Sequence, residues 1–195
     1  MANELKSWIT VKANEDTLKF VDSLVTKAEE RIENDTYGVT AFAKAFYKDV
    51  DYGDNGGVMY NWALDKLGSK WTYLEDVQDE AEFSIVSAWY PPKEFLIHLY
   101  KLCVELDENT EIEVVYEDET YSPVGAIVIK KDRYGSPCIW EEEEGDIENP
   151  LDDMDWDDEG YEDASQEFYD GLYETKQKLL KECHELILTD GEVIQ

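Results

Sequence analysis

Basic residues are scarce in this chain. Seventeen Lys and Arg stand against 48 Asp and Glu over 195 residues, a formal net charge of −31, and no basic residue occurs between Arg133 and Lys176. A surface of that charge repels nucleic acid and anionic membranes and attracts basic partners. Direct nucleic-acid binding is therefore excluded, and a basic protein is the expected partner. No segment approaches the roughly 18 apolar residues of a membrane span. The N-terminus, with Glu4, Glu15 and Asp16, lacks the basic-then-apolar profile of a secretory signal. A cytoplasmic protein is the expectation. Cysteine is limited to Cys103, Cys138 and Cys183, an odd and scattered set without a Cys-x-x-Cys pair, which reads as reduced, partly buried thiols. Catalytic signatures are missing too: there is no Gly-x-Ser-x-Gly elbow, no phosphate-binding glycine loop and no His-Glu-x-x-His. Carboxylate pairs abound, but in so acidic a chain they carry no information without geometry. The expectation is a protein without catalysis and without a cofactor.

What is present is enough for a packed core: 43% hydrophobic residues, thirteen Tyr and six Trp. The stretch Met59 to Pro92 holds Trp62, Trp71 and Trp89, and clustered tryptophans predict the centre of a core. Trp62, Leu64 and Leu67 predict a short helix ended by Gly68. Phe83, Ile85, Ser87 and Trp89 alternate as a strand, which Pro91-Pro92 stops while opening the next helix.

Asn61-Trp62, Gly68-Ser69-Lys70-Trp71 and Ala88-Trp89-Tyr90-Pro91-Pro92 together resemble the signature of the YubB-type ferredoxin-like domain family of phages, plasmids and other mobile elements. The resemblance runs from about Trp8 to about Ile129, through Tyr116-Glu117 and Val124-Gly125-Ala126. It implies a split β-α-β fold and a mobile-element origin, with no established activity and no catalytic residues to carry over. The usual Asn-Trp-Cys opening is absent, only Trp8 standing near that place, and the chain adds a long acidic C-terminal third.

Along the chain, Ser7 to Lys12 reads as a strand covered on both faces. Asp16 to Ile32 reads as an amphipathic helix capped by Asp16 or Thr17, and Val39 to Tyr47 as a shorter helix or a loop. Asp49 to Gly57 reads as a flexible loop, because its acids miss calcium-loop spacing. Strands follow at Trp71 to Val77 and Phe83 to Trp89, then a helix from Pro92 to Leu106 with His98 as a structural or surface residue. Glu111 to Tyr116 predicts a half-buried strand with acids outward, and Val124 to Lys130 a buried one. Tyr134-Gly135-Ser136-Pro137 then turns into Cys138-Ile139-Trp140. The order predicts an α+β fold: a ferredoxin-like antiparallel sheet with helices on one face over residues 1–140. Residues 141–195 add an acidic extension and a closing helix, docked on the same domain or on a second copy. In that helix Phe168, Leu172 and Lys176 lie on one side, while Tyr169, Leu172, Tyr173, Leu179, Leu180, Cys183 and Leu186 make the amphipathic stripe expected to dock.

Charge divides unevenly: the first 107 residues hold 11 basic and 20 acidic side chains, the remainder 6 and 28. Three readings of Trp140 to Asp170 stay open. A like-charge run is a solvated segment by default, serving solubility or structure. From Asp155, oxygens at Asp155, Asp157, Glu159 and Asp163 with Gly160 at the sixth place approach an EF-hand loop. However, Gln166 stands where a bidentate Glu belongs. A divalent-cation-binding accessory protein is the corresponding function. The third reading is mimicry of DNA toward a basic, DNA-binding host protein, for instance one of host defence or transcription. Its expected contacts are Glu141, Glu142, Glu143, Glu144, Asp152, Asp153, Asp155, Asp157, Asp158 and Glu159, with Trp140, Trp156, Tyr161, Tyr169 and Tyr173 supplying apolar contact. A homodimer stays open.

Overall fold

Strict alternation makes one strand the spine of the molecule. In β1 (Glu4–Lys12), Leu5, Ser7, Ile9 and Val11 are buried on one face, while Lys6, Trp8 and Thr10 are half-buried on the other, as a period of two requires. The computed structural model describes residues 3–34, 38–79, 81–121, 123–136, 138–139, 151, 154 and 160–194. After β1 come α1 (Glu15–Asn34), α2 (Gly38–Phe46), α3 (Tyr60–Lys66), β2 (Thr72–Asp79), β3 (Glu82–Ala88) and α4 (Lys93–Val104). They are followed by β4 (Glu111–Asp118), β5 (Val124–Lys130), β6 (Arg133–Gly135), β7 (Cys138–Ile139), α5 (Tyr161–Asp190) and β8 (Glu192–Val193). The strands form one antiparallel sheet in the order β2-β3-β1-β4-β5-β6-β8, with β7 paired to β5. The fold is therefore mixed α+β, on a sheet larger than the sequence predicts.

The helices of residues 1–140, α1 to α4, pack on one face of the sheet, as expected, and the closing helix α5 covers the other. Leu5, Ile9, Ile112, Val114, Ile127 and Ile129 meet α1, α2, α3 and α4 in the main core. Its centre is phenylalanine: Phe95 lies 4.7 Å from Phe42 and 5.0 Å from Phe46, ring centre to ring centre. The tryptophans do not hold that place. Trp62 and Trp71 are half-buried, and Trp89 is 45% exposed. Trp89 sits beyond β3 at φ 64°, its N–H donated to the Asn3 carbonyl, as the chain swings into Pro91-Pro92.

On the second face, Val124, Ala126 and Val128 of β5 pack against Phe168, Leu172, Leu179, Cys183 and Ile187 of α5. The buried stripe of α5 is rotated from the expected one, because Tyr169, Tyr173 and Leu186 are exposed while Phe168 and Ile187 are buried. Glu111 and Glu113, expected outward to solvent, lie partly covered beneath this helix, and so does Glu117.

Local details explain other departures. The α1 cap is Asn14, whose side-chain oxygen accepts from the Thr17 N–H and hydroxyl at 3.0 Å. Asp49 to Gly57 is an ordered turn, held by Gly53 N–H to Gly57 carbonyl, by Met59 N–H to Asp51 carbonyl and by a Tyr52–Val58 bridge. Lys131 and Asp132, at φ 50° and 56°, make a two-residue turn that pairs Lys130 with Arg133. The chain thus reverses before Tyr134, earlier than the sequence predicts. Cys103 and Cys183 are free and buried, and burial raises their thiols to about 12 and about 11. His98 is structural, stacked 4.2 Å from Tyr47 with Nε2 3.1 Å from the Phe46 carbonyl. Burial lowers its pKa, so an NMR titration should give a midpoint below the ordinary value of about 6.5. His98 then contributes stability above that ordinary value which is lost as pH falls through the depressed one.

Two glycines give opposite expectations. Gly125 faces Tyr116 across the β4–β5 ladder, and a Cβ there would lie 2.2 Å from the buried tyrosine ring. Gly125→Ala should destabilise by about 1–3 kcal/mol. Gly171 is exposed inside α5 with open space around its Cβ direction, so Gly171→Ala should stabilise by about 0.5–1 kcal/mol. Urea unfolding of both variants checks the pair.

Candidate functional site: the acidic face of the C-terminal helix

The N-terminal half of α5 carries five acids and no basic residue between Tyr161 and Thr175. Glu162 and Asp163, in the first turn, complement the positive end of the helix dipole. With Phe168 and Leu172 anchored on the sheet, steps of four, three and four place Asp163, Glu167, Asp170 and Glu174 on one outer face around a shallow depression. At 1.5 Å per residue they span about 16 Å, a carboxylate about every 5–6 Å of axis. A single DNA strand carries one phosphate about every 3.4 Å of axis, the same order of density. Gln166 donates to Asp170 at 2.8 Å, orienting that carboxylate. Tyr169 and Tyr173, 46% and 63% exposed, flank the ridge, and the Tyr169 hydroxyl meets that of Tyr121 at 3.1 Å.

The ridge is held by a polar network beneath the distal half of α5. His184 Nε2 lies 2.6 Å from Glu113 Oε1, and Lys130 Nζ lies 2.7 Å from His184 Nδ1 and 3.3 Å from Glu111. Lys12 also donates to Glu113. Further along, Lys176 pairs with Glu117 at 2.5 Å and stands 4.2 Å over the Trp8 ring. An ammonium can only donate, so Nδ1 accepts and the imidazole proton sits on Nε2, toward Glu113. Burial pushes the Glu113 carboxyl up, but the bonds from Lys12 and His184 outweigh it, leaving the pKa below the ordinary glutamate value.

Glu111, Glu113 and His184 are the one group among the described residues whose donor atoms are close enough to share a metal ion. The hydrogen bonding argues against that use. Nε2 would have to surrender its proton to ligate, and moving that proton to Nδ1 would aim it at the Lys130 ammonium. The cluster is built as an ion-pair network that docks α5.

Glu141, Glu142, Glu143, Glu144, Asp152, Asp153, Asp155, Asp157, Asp158 and Glu159 lie outside the described residues. Of the calcium candidates only Asp163 is described, and it stands exposed in the first turn of α5 beside Glu167. The helix starts at Tyr161, the seventh place of the proposed loop, so the carbonyl an EF-hand aims at calcium there is directed along the helix axis instead. The acidic ridge was not named from sequence, although its spacing of four, three and four was readable. In the tryptophan-rich layer, a groove of about 550 Å³ is lined by Gly38, Thr40, Lys70, Trp71 and Tyr73 among others, with no carboxylate. Another, of about 690 Å³, has only Glu105. Neither groove is lined by paired carboxylates.

No helix among the described residues is long and apolar enough to cross a membrane. Comparison with protein-family models, with curated proteins and with solved structures found no match to this chain.

Proposed function

We propose that this protein acts without catalysis, by presenting carboxylates on a fixed helix to a basic surface of a host protein that normally holds DNA. The observation that carries the reading is the ridge Asp163, Glu167, Asp170 and Glu174, flanked by exposed Tyr169 and Tyr173. Carboxylates at a density of the same order as backbone phosphates satisfy Lys and Arg side chains arranged for a DNA backbone, and the tyrosines add apolar contact. The acids between Glu141 and Glu159 extend the same charge in sequence.

The ferredoxin-like, YubB-type assignment belongs to this proposal. The strand order β2-β3-β1-β4, with helices between β1 and β2 and between β3 and β4, supports it, as do the motifs around Trp62, Trp71 and Trp89. A mobile-element origin then supplies the reason for antagonising a host protein.

The experiment is affinity capture from a bacterial host lysate on the immobilised full chain. The captured protein should be basic and DNA-binding, should elute as salt rises, and should be displaced by duplex DNA. Retention unchanged from low to high salt, or indifference to duplex competitor, contradicts the reading.

A further inference from the structure

Most described lysines of this chain stand on carboxylates: Lys6, Lys12, Lys19, Lys93, Lys130 and Lys176 are examples. Lys27 and Lys48 differ. Both are exposed and neither has an ion pair among the described residues. They share, with Lys44, the rim of the 690 Å³ groove left where α1, α2 and α4 diverge above the sheet. Its apolar wall comes from Phe20, Leu24, Phe46, Leu102 and Leu106, the last 54% exposed, and its one carboxylate is Glu105. The Lys44 ammonium is directed over the Tyr52 ring, 5.4 Å from its centre, so Lys27 and Lys48, against the single Glu105, make this rim locally positive in a protein with a net charge of −31.

We propose that this groove binds a small amphipathic anion, a medium-chain carboxylate in chemical class, with its head between Lys27 and Lys48 and its chain along Phe20, Leu24 and Leu102. The groove volume falls within the range of about 300–1,000 Å³ typical of small-molecule sites. Covering the half-exposed Leu106 removes apolar area from water, which favours an apolar body over a bare anion. The repulsive field of the whole protein does not prevent this, because at physiological salt it is screened over about 8 Å and the rim lysines act at contact range. The splay of the three helices leaves a concave slot suited to a chain-like ligand. The inference is independent of the acidic ridge, which lies on the opposite face of the sheet.

The test is isothermal titration of the full chain with decanoate below its micelle concentration at neutral pH, with acetate and neutral decyl maltoside as controls. Decanoate should bind saturably with one site, acetate should give no saturable heat, and decyl maltoside should bind at least about tenfold more weakly. The double variant Lys27→Glu, Lys48→Glu alters only exposed side chains. It should weaken decanoate binding by about tenfold or more, as loss of two partly screened attractions and addition of two repulsions implies, with an unchanged unfolding midpoint. Leu106→Asp should weaken it independently. Absence of saturable decanoate binding, or equal affinity for decanoate and decyl maltoside together with an indifferent double variant, overturns the proposal.

Discussion

Reversing Glu167 and Glu174 together to Lys lowers affinity for the captured basic partner by about a hundredfold or more and leaves thermal stability unchanged. Each reversal removes an attraction and adds a repulsion inside the contact, and about 1.4 kcal/mol per site suffices for a tenfold loss at each. The fold should tolerate both changes, since the two side chains are exposed on the outer face of α5 and surface substitutions of this kind stay within about 0.5 kcal/mol. The control is a second double reversal, Glu29→Lys with Asp54→Lys, at exposed positions on other elements. It changes net charge equally but leaves the ridge intact. If the two double variants bind alike, charge in bulk is the determinant and the ridge has no special standing.

The second large effect concerns what holds the ridge in place. Glu113→Ala should destabilise the protein by about 2 kcal/mol, because it removes the near acceptor of Lys12 and His184 and leaves both only Glu111, at 3.8 Å. For a chain of this size that lowers the unfolding midpoint by about 4–8 °C. Replacing the partners together, as Glu113→Leu with His184→Leu, should recover part of the loss, since exchanging both partners of a covered hydrogen bond for apolar groups can be nearly neutral and Lys12 keeps Glu111 at 3.8 Å.

The pH dependence has a definite sign. The Glu113 pKa is lowered on folding, so its contribution is complete above the ordinary glutamate value of about 4.3 and is lost as pH falls through the lower folded value. The stability gap between wild type and Glu113→Ala should therefore be full at neutral pH and narrow in acid. A gap that widens in acid contradicts this assignment.

Much of the fold was legible because alternation and helical spacing are local properties. β1, β4 and β5 read directly from Ile9 and Val11, from Ile112 and Val114, and from the run Val124 to Lys130, although β1 begins three residues earlier than Ser7. Where the reading slipped, the deciding contact was remote in sequence. Glu111 and Glu113 look solvent-facing until α5, some seventy residues later, brings His184 over them. The face of α5 was mis-phased because Tyr169 and Tyr173 were counted as core, whereas Phe168 and Ile187 fit the small-residue strand around Ala126 and Val128. The tryptophans misled for a similar reason: the positive φ at Trp89 turns its ring outward, and three phenylalanines fill the centre. The Asn14 cap lies two residues before Asp16 and three before Thr17, the caps the sequence suggests. The acidic ridge stayed hidden since, in a chain with 48 acids, a spacing of four, three and four stands out only once Phe168 and Leu172 fix which side faces the sheet.

Amide hydrogen exchange along α5 in the intact chain tests most directly whether charge is displayed on a rigid support. Protection from Ser165 to Glu174 should match that from Leu179 to Ile187, because both halves are anchored on β5 by buried side chains. Exchange of the acidic half at the rate of an unfolded chain, with the distal half still protected, would contradict the account.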